Sequence, residues 1–439
     1  MKEKGSMMNR TVKSAVAMAA VAAMSLGALA ACGSSTSGDD AKGKVYYLNF
    51  KPEAADQWAA LAKEYTKEKG VEVKVQTAAS GTYEQTLKSE IAKTEAPTLF
   101  QVNGPVGYQN WKKYTADMSN TDVYKELANQ DVALKDGDKV VGVPYVMETY
   151  GLIYNKDILN KYFALDGAKA TSMDEIDNFD TLKAVADDMQ ARKDELGIKG
   201  AFTSAGFDTS SIKRFGDQLA HISVYYEYRD QGVTQMPATI SDKYVSNFKN
   251  IFDLYINDAT IPKTQLASAT MDDANSEFAL GEAVFLQNGS WGYSQIRDQE
   301  VADEDMGVLP IYMGVKGEEN AGLTVSFLYF AMNKNASEKD QKATKQFLDY
   351  ILNDDEARDI ITNEAGFETP FKSYAKAGYQ TKNPIHRAND AYAKADKYDI
   401  VIYPLPSTQW VLTLGNAMLE YAQETGTWDT VHDAFVDGW

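Results

Sequence analysis

The sequence predicts an α/β protein built on parallel sheets, and three observations carry that expectation. The first folded stretch alternates strand and helix patterns in the order βαβαβ, which sets parallel strands side by side through right-handed crossovers. The chain has 439 residues, too many for one ordinary core and about right for two or three domains. At 44% hydrophobic and 24% charged it has enough apolar surface to fold, which excludes general disorder and collagen-like repeats.

Residues 1–13 carry Lys2, Lys4, Arg10 and Lys13 against Glu3, and a small, apolar run follows from Ser14 to Ala31. That is the layout of a secretory signal; as a membrane span the run sits at the lower length limit and is rich in alanine, which gains little from lipid. It ends in Leu29-Ala30-Ala31-Cys32, and Cys32 is the single cysteine. These four residues resemble the bacterial lipobox, in which the cysteine is acylated and becomes the first residue of the mature chain. A buried cysteine beside an ordinary cleavage site is the competing reading. Loss of residues 1–31 leaves 40 basic and 62 acidic side chains, a net charge of −22. Such acidity argues against a nucleic-acid partner, and it leaves acyl chains as the expected membrane attachment. Residues 32–43, rich in Gly and Ser, form the expected flexible tether.

Strand, helix and strand then follow in turn. Lys44–Leu48 is a β-rich run; Trp58, Leu61, Ala62 and Tyr65 recur at i, i+3, i+4 and i+7, and Gly70 closes that helix. Val71, Val73 and Val75 alternate with Glu72 and Lys74 as a second strand. Tyr83, Leu87 and Ile91 mark a second helix, Pro97 stops it, and Thr98–Val102 is the third strand. In open parallel sheets ligands sit beyond the carboxyl ends of the strands. Those ends are Asn49-Phe50-Lys51 and Asn103-Gly104, whose amides both donate and accept and so suit neutral polyols.

Asp136-Gly137 predicts a type I′ hairpin and lacks the ligand spacing of a calcium loop. The hairpin feeds Pro144–Tyr150 and Gly151–Asn155, an apolar strand that carries Glu148, and an unpaired buried charge is expensive. Helices are expected near 179–195, 211–229, 241–257, 271–280, 338–352, 353–363, 386–395 and 408–423.

Catalytic signatures are weak. Asn288-Gly289-Ser290-Trp291-Gly292 approaches a hydrolase elbow, but Asn288 stands where the sharp turn needs glycine. His221, His386 and His432 lack metal-type partners at i+3 or i+4, and no Gly-rich phosphate loop is present, so no metal and no cofactor is expected. A glycosidase needs only two carboxylates and stays open. The stronger pattern suits sugar binding, where flat rings cover C–H faces and polar side chains pair with hydroxyl rims. Trp291 follows the buried-strand pattern Ala283–Leu286, and Trp410 follows the rigid Tyr403-Pro404-Leu405-Pro406; a core tryptophan is the competing reading at both positions. Trp58 and Trp428 read as packing.

Four ordered segments, Val141–Asp157, Glu277–Trp291, Gly307–Pro310 and Gln346–Leu352, resemble the extracellular solute-binding protein family 1 of ABC importers, the maltose-binding-protein group. The resemblance covers nearly all of residues 44–439. It implies a two-lobed, periplasmic-binding-protein-like fold of type II, each lobe a central sheet flanked by helices. Residues 44–146 and 311–366 would form one lobe, 147–310 and 367–439 the other. It implies a monomer that closes on an oligosaccharide and delivers it to permease subunits, without catalysis. Glu148 falls at a cleft glutamate of the family, Trp291 at a stacking tryptophan after Asn-Gly, and Trp410 at a further cleft tryptophan. Asn49, Lys51 and Asn103 fall on rim loops where the maltose binder has Asp-Lys and Asp-Arg pairs, so the amides point away from maltose itself. Phe207 and Asp208 match an aromatic-acidic contact pair, and Tyr83 begins a helix facing the cleft. The rivals are a surface glycoside hydrolase and the same fold holding a peptide or polyamine.

Overall fold

The computed structural model describes residues 42–79, 81–204, 207, 208 and 210–439; Cys32 and the expected signal and tether as far as residue 41 lie outside the described residues. Ten strands join into one sheet: β1 (Lys44–Asn49), β2 (Glu72–Thr77), β3 (Leu99–Val102), β4 (Leu134–Asp136), β5 (Lys139–Asn155), β6 (Gly200–Phe202), β7 (Ala283–Gly289), β8 (Met306–Leu309), β9 (Ala321–Met332) and β10 (Tyr398–Val401). The order along the main path is β2-β1-β3-β9-β5-β7-β6. β1 lies parallel to both β2 and β3, as the βαβαβ pattern requires, and β9 enters antiparallel beside β3. The intervening helix Ala55–Lys69 buries Trp58, Leu61, Ala62 and Tyr65 and ends on Gly70 at φ 61°, a left-handed cap that suits glycine.

Two strands hold the halves of the molecule together. β5 runs for 17 residues; its first half pairs with β9 from Val143 to Tyr150, its second with β7 and β8 from Tyr150 to Asn155. The apolar clusters on either side are distinct. Tyr47, Leu99, Val143, Phe330 and Phe347 belong to a first lobe, and Leu152, Phe285, Ile311 and Leu414 to a second. β5 and β9 cross between them, and at the crossing the Met147 N–H donates to the Glu368 carbonyl at 2.8 Å.

Three expectations are corrected. Ile311, Tyr312, Met313 and Leu323 pack with the second lobe, and Phe367, Phe371 and Tyr374 with the first, so the boundaries at 311 and 367 are displaced. The chain crosses inside β9 and again between Tyr379 and Pro384. The hairpin turn has one positive φ, 57° at Gly137, where type I′ needs two. The expected helix 211–229 is a π-helix over Arg214–Leu219 continuing as an α-helix over Ala220–Gln231, and 353–363 divides the same way into Asp355–Asp359 and a π-turn over Ile360–Glu364.

Candidate functional site

The end of β1 is bent by its own asparagine. Asn49 Oδ1 accepts from the Lys51 N–H at 3.0 Å, while Nδ2 donates to the Lys51 carbonyl at 2.8 Å and to Thr77 Oγ1 at 3.1 Å. This Asx-type closure uses up the amide, so Asn49 shapes the loop and does not line a ligand rim as expected. It turns Lys51 inward, where Nζ lies 2.5 Å from Glu148 Oε1 and 2.6 Å from Glu53 Oε1, 5.3 Å above the Phe367 ring. Lys51 is 2% exposed. Burial works against its ammonium, but Glu148 and Glu53 outweigh it and hold the pKa above its ordinary value. Burial pushes Glu148 up against the pull of Lys51, and the charge of Glu53 adds to the rise. Lys51 and Glu148 are thus brought together as a buried ion pair at the strand crossing. Deeper in the same region His386 is kept neutral: burial, then the charge of Lys51, pushes it down to about 3.

The opposite wall is built on β7. That strand ends at Gly289, and Trp291 sits in the turn Ser290–Gly292 that follows. A Cβ on Gly289 would come within 2.3 Å of the Trp291 ring, so the indole folds back over the strand end only because residue 289 has no side chain. The ring remains partly exposed and borders Tyr150 at 6.0 Å between centroids. Tyr150 in turn donates to the Gln218 carbonyl at 3.2 Å. Ser290 is buried and its Oγ accepts from the Thr149 N–H at 3.3 Å, which makes it a strand clamp.

Asn103 is exposed at the start of helix Gly104–Trp111, with a side chain that makes no capping bond. Val106 on that helix reaches the apolar cluster of the second lobe, and Glu84 of the first lobe faces Lys213 of the second. Burial raises the Glu84 carboxyl against a 2.8 Å bond from the Trp111 indole N–H and the attraction of Lys213. A polar cavity of about 340 Å³ opens between Glu53, Asp56 and Gln57 on one side and Ser294, Gln295 and Arg297 on the other. A larger hollow of about 760 Å³ lies on the outer face of the first lobe, around Tyr65, Lys342 and Tyr350, away from the strand ends.

Four expected contacts fall elsewhere. Trp410 is 3% exposed, donates to the Phe435 carbonyl at 3.2 Å and packs edge-on against Phe435 and Trp439, so it is a core tryptophan covered by the C-terminal helix Trp428–Val436. Phe207 is buried, stacked on Phe215 at 5.0 Å. Asp208 caps the next turn, accepting from the Ser211 N–H at 3.0 Å and from Ser210 Oγ at 2.8 Å. Tyr83 is buried with its hydroxyl donating to the Gln101 carbonyl at 2.9 Å and accepting from the Gln101 N–H at 2.7 Å, a brace beneath the wall. Glu53, Glu84, Tyr150 and Lys213 were not anticipated; only Tyr150 stands inside a recognisable segment. Among the described residues no group of three or more His, Cys, Asp or Glu is placed to hold a metal ion, and no helix is long and apolar enough to cross a membrane.

The lobe boundary thus holds a partly exposed indole, the exposed Asn103 and the carboxylates of the strand crossing. The model of the bacterial extracellular solute-binding protein family matches residues 60–389, three quarters of the chain, and the chain belongs to that family. Its two-lobed fold is shared with RafE in complex with raffinose (TM-score 0.67, 19% identity, 89% of this chain and 97% of that one). Maltose-bound MalE3 of T. maritima matches with TM-score 0.68 and 17% identity over 90% of this chain and 98% of that one. The GacH receptor of Streptomyces glaucescens, solved unliganded and with acarbose, matches with TM-score 0.67 and 17% identity over 90% and 97%.

Proposed function

We propose that this protein is the receptor of an ABC importer, capturing an oligosaccharide between its lobes and handing it to the permease without chemical change. The observation that carries the reading is Trp291, a partly exposed indole fixed over side-chain-free Gly289 and bordered by Tyr150 at the mouth of the gap. A flat ring in that position covers the C–H face of a sugar, and the free amide of Asn103 and the carboxylates of the crossing supply hydroxyl partners. Raffinose, maltose and acarbose, bound by proteins of the same fold, are all sugars of two or more rings. Each chain carries both walls, so a monomer suffices. Cys32 in Leu29-Ala30-Ala31-Cys32 supports anchoring by acyl chains on the outer face of the cytoplasmic membrane.

A thermal-shift screen with raffinose, maltose and chitin oligosaccharides tests the ligand class, since a ligand bound only by the native state raises Tm. Trp291→Ala should then weaken the responding sugar by about 2–4 kcal/mol, the range for truncating an aromatic anchor, as read by calorimetry. Unchanged affinity in that variant overturns the assignment of Trp291 as the stacking ring, and release of cleavage products from any sugar overturns the reading.

A further inference from the structure

His221, in the first turn of helix Ala220–Gln231, has oxygen acceptors at both ring nitrogens. Nδ1 lies 2.7 Å from Asp217 Oδ1 and 3.1 Å from the Asp217 carbonyl oxygen; Nε2 lies 3.1 Å from the Tyr403 carbonyl oxygen. A neutral imidazole carries one N–H, so either tautomer sets a nitrogen lone pair against an oxygen lone pair. The residue is 5% exposed, so solvent has little access to relieve that clash. The ring is therefore an imidazolium. Burial opposes that charge, but Asp217 and the two carbonyls outweigh it, and the pKa stands above the ordinary histidine value.

Asp217 lies on the π-helix Arg214–Leu219, a wide turn of the kind often found at functional sites. About a quarter of its side chain is exposed, at 26%, and its second carboxylate oxygen has no hydrogen-bond partner among the described residues. It sits near the Tyr150 phenol, which borders Trp291, and near Lys213, which faces Glu84 across the gap. One oxygen is thus pinned by a buried cation, and the other is left on the wall that carries the indole.

We propose that Asp217 is a ligand-binding carboxylate accepting sugar hydroxyls beside Trp291, and that the imidazolium of His221 is its positioning residue, so that capture weakens as His221 loses its second proton. This rests on the gap being the ligand site. The groups facing the pair are Lys213 on the same helical run, the Tyr150 phenol on β5 and the Tyr403 carbonyl in the loop before helix Thr408–Ala422. Burial holds Tyr150 well above its usual phenol value, so of these groups His221 is the one whose charge changes near neutrality. By linkage, a ligand that prefers the imidazolium must raise its pKa.

Two measurements decide it. In the isotope-labelled protein the chain's three histidines are followed by imidazole NMR from pH 5 to 9. His221 should titrate with a midpoint above the ordinary histidine value, and Asp217→Asn should lower that midpoint. Calorimetry with raffinose, maltose and chitin oligosaccharides should show affinity falling from pH 6 to 9 in the parent, and about tenfold weaker, pH-independent binding in Asp217→Asn. His221→Gln should lose the same slope. A neutral His221 at pH 6, or parental affinity in Asp217→Asn, overturns the proposal. Unchanged affinity in Trp291→Ala with a weakened Asp217→Asn instead faults the stacking assignment alone, and failure of every sugar to bind sinks both readings.

Discussion

At the residue scale a cluster of buried charge stands at the strand crossing, where Lys51 serves Glu148 and Glu53 together. Removing the cation leaves two carboxylates close to each other without a counter-charge, and breaking a buried pair in that way costs about 3–5 kcal/mol. Lys51→Met should therefore lower the urea midpoint strongly, and adding Glu148→Gln should recover part of the loss by removing one orphaned charge. If the double variant is less stable than Lys51→Met alone, the pairing is not what holds the crossing. Gly289→Ala makes a different test: its methyl group enters the space of the Trp291 ring, 2.3 Å from the nearest ring atom, and must push the indole off the strand end. Sugar affinity should drop while Tm changes little, since the ring is partly exposed and contributes little to the core. The partly exposed position of Trp291 was legible because a tryptophan two residues past a strand-ending Asn-Gly has few ways to turn inward. Trp410 was not, because its burial depends on Phe435 of the last helix and on Trp439 just beyond it, both distant in sequence. Asn49 was misjudged for a third reason: an amide at a loop start is as well suited to bonding its own backbone as to bonding a ligand.

At the scale of the elements, the strand and helix periods of residues 44–102 fixed the parallel trio β1, β2 and β3, since local spacing alone decides which face is apolar. The long crossings resisted the same treatment. β5 and β9 are buried on both faces over most of their length, so no alternation reports where one lobe yields to the other. The π-helices were equally invisible, because one extra residue per turn hardly disturbs a short apolar stripe. Within β5, Gly151 marks the closest approach of β8: a Cβ there would lie 2.3 Å from the Leu309 carbonyl oxygen, which is backbone and cannot swing aside. Gly151→Ala should force β5 and β8 apart, lower Tm by several degrees for a loss of about 1–3 kcal/mol, and speed amide exchange at Met306–Leu309. Exchange at parental rates in that strand would mean the sheet absorbs the methyl group elsewhere.

At the scale of the whole molecule, capture requires that the solute bind the closed arrangement of the lobes more tightly than the open one, because a ligand shifts a conformational equilibrium only by its differential affinity. Three chain segments cross between the lobes, and beyond them Val106 packs against the second core and Glu84 faces Lys213. The last of these is a lever on closure that touches no expected stacking group. In the parent, opposite charges meet as the gap narrows, so closing gains attraction. Lys213→Glu replaces that attraction with two facing carboxylates, and a partly buried like-charge pair opposes approach more strongly than an exposed one. Small-angle scattering should show the parent contracting when a saturating sugar is added, and Lys213→Glu contracting less at the same concentration. Affinity should fall in step and recover partly when salt is raised from 20 to 500 mM, because added ions screen the repulsion. A Lys213→Glu protein that contracts fully and binds with parental affinity at low salt would show that the two lobes close without bringing Glu84 and residue 213 into range of one another.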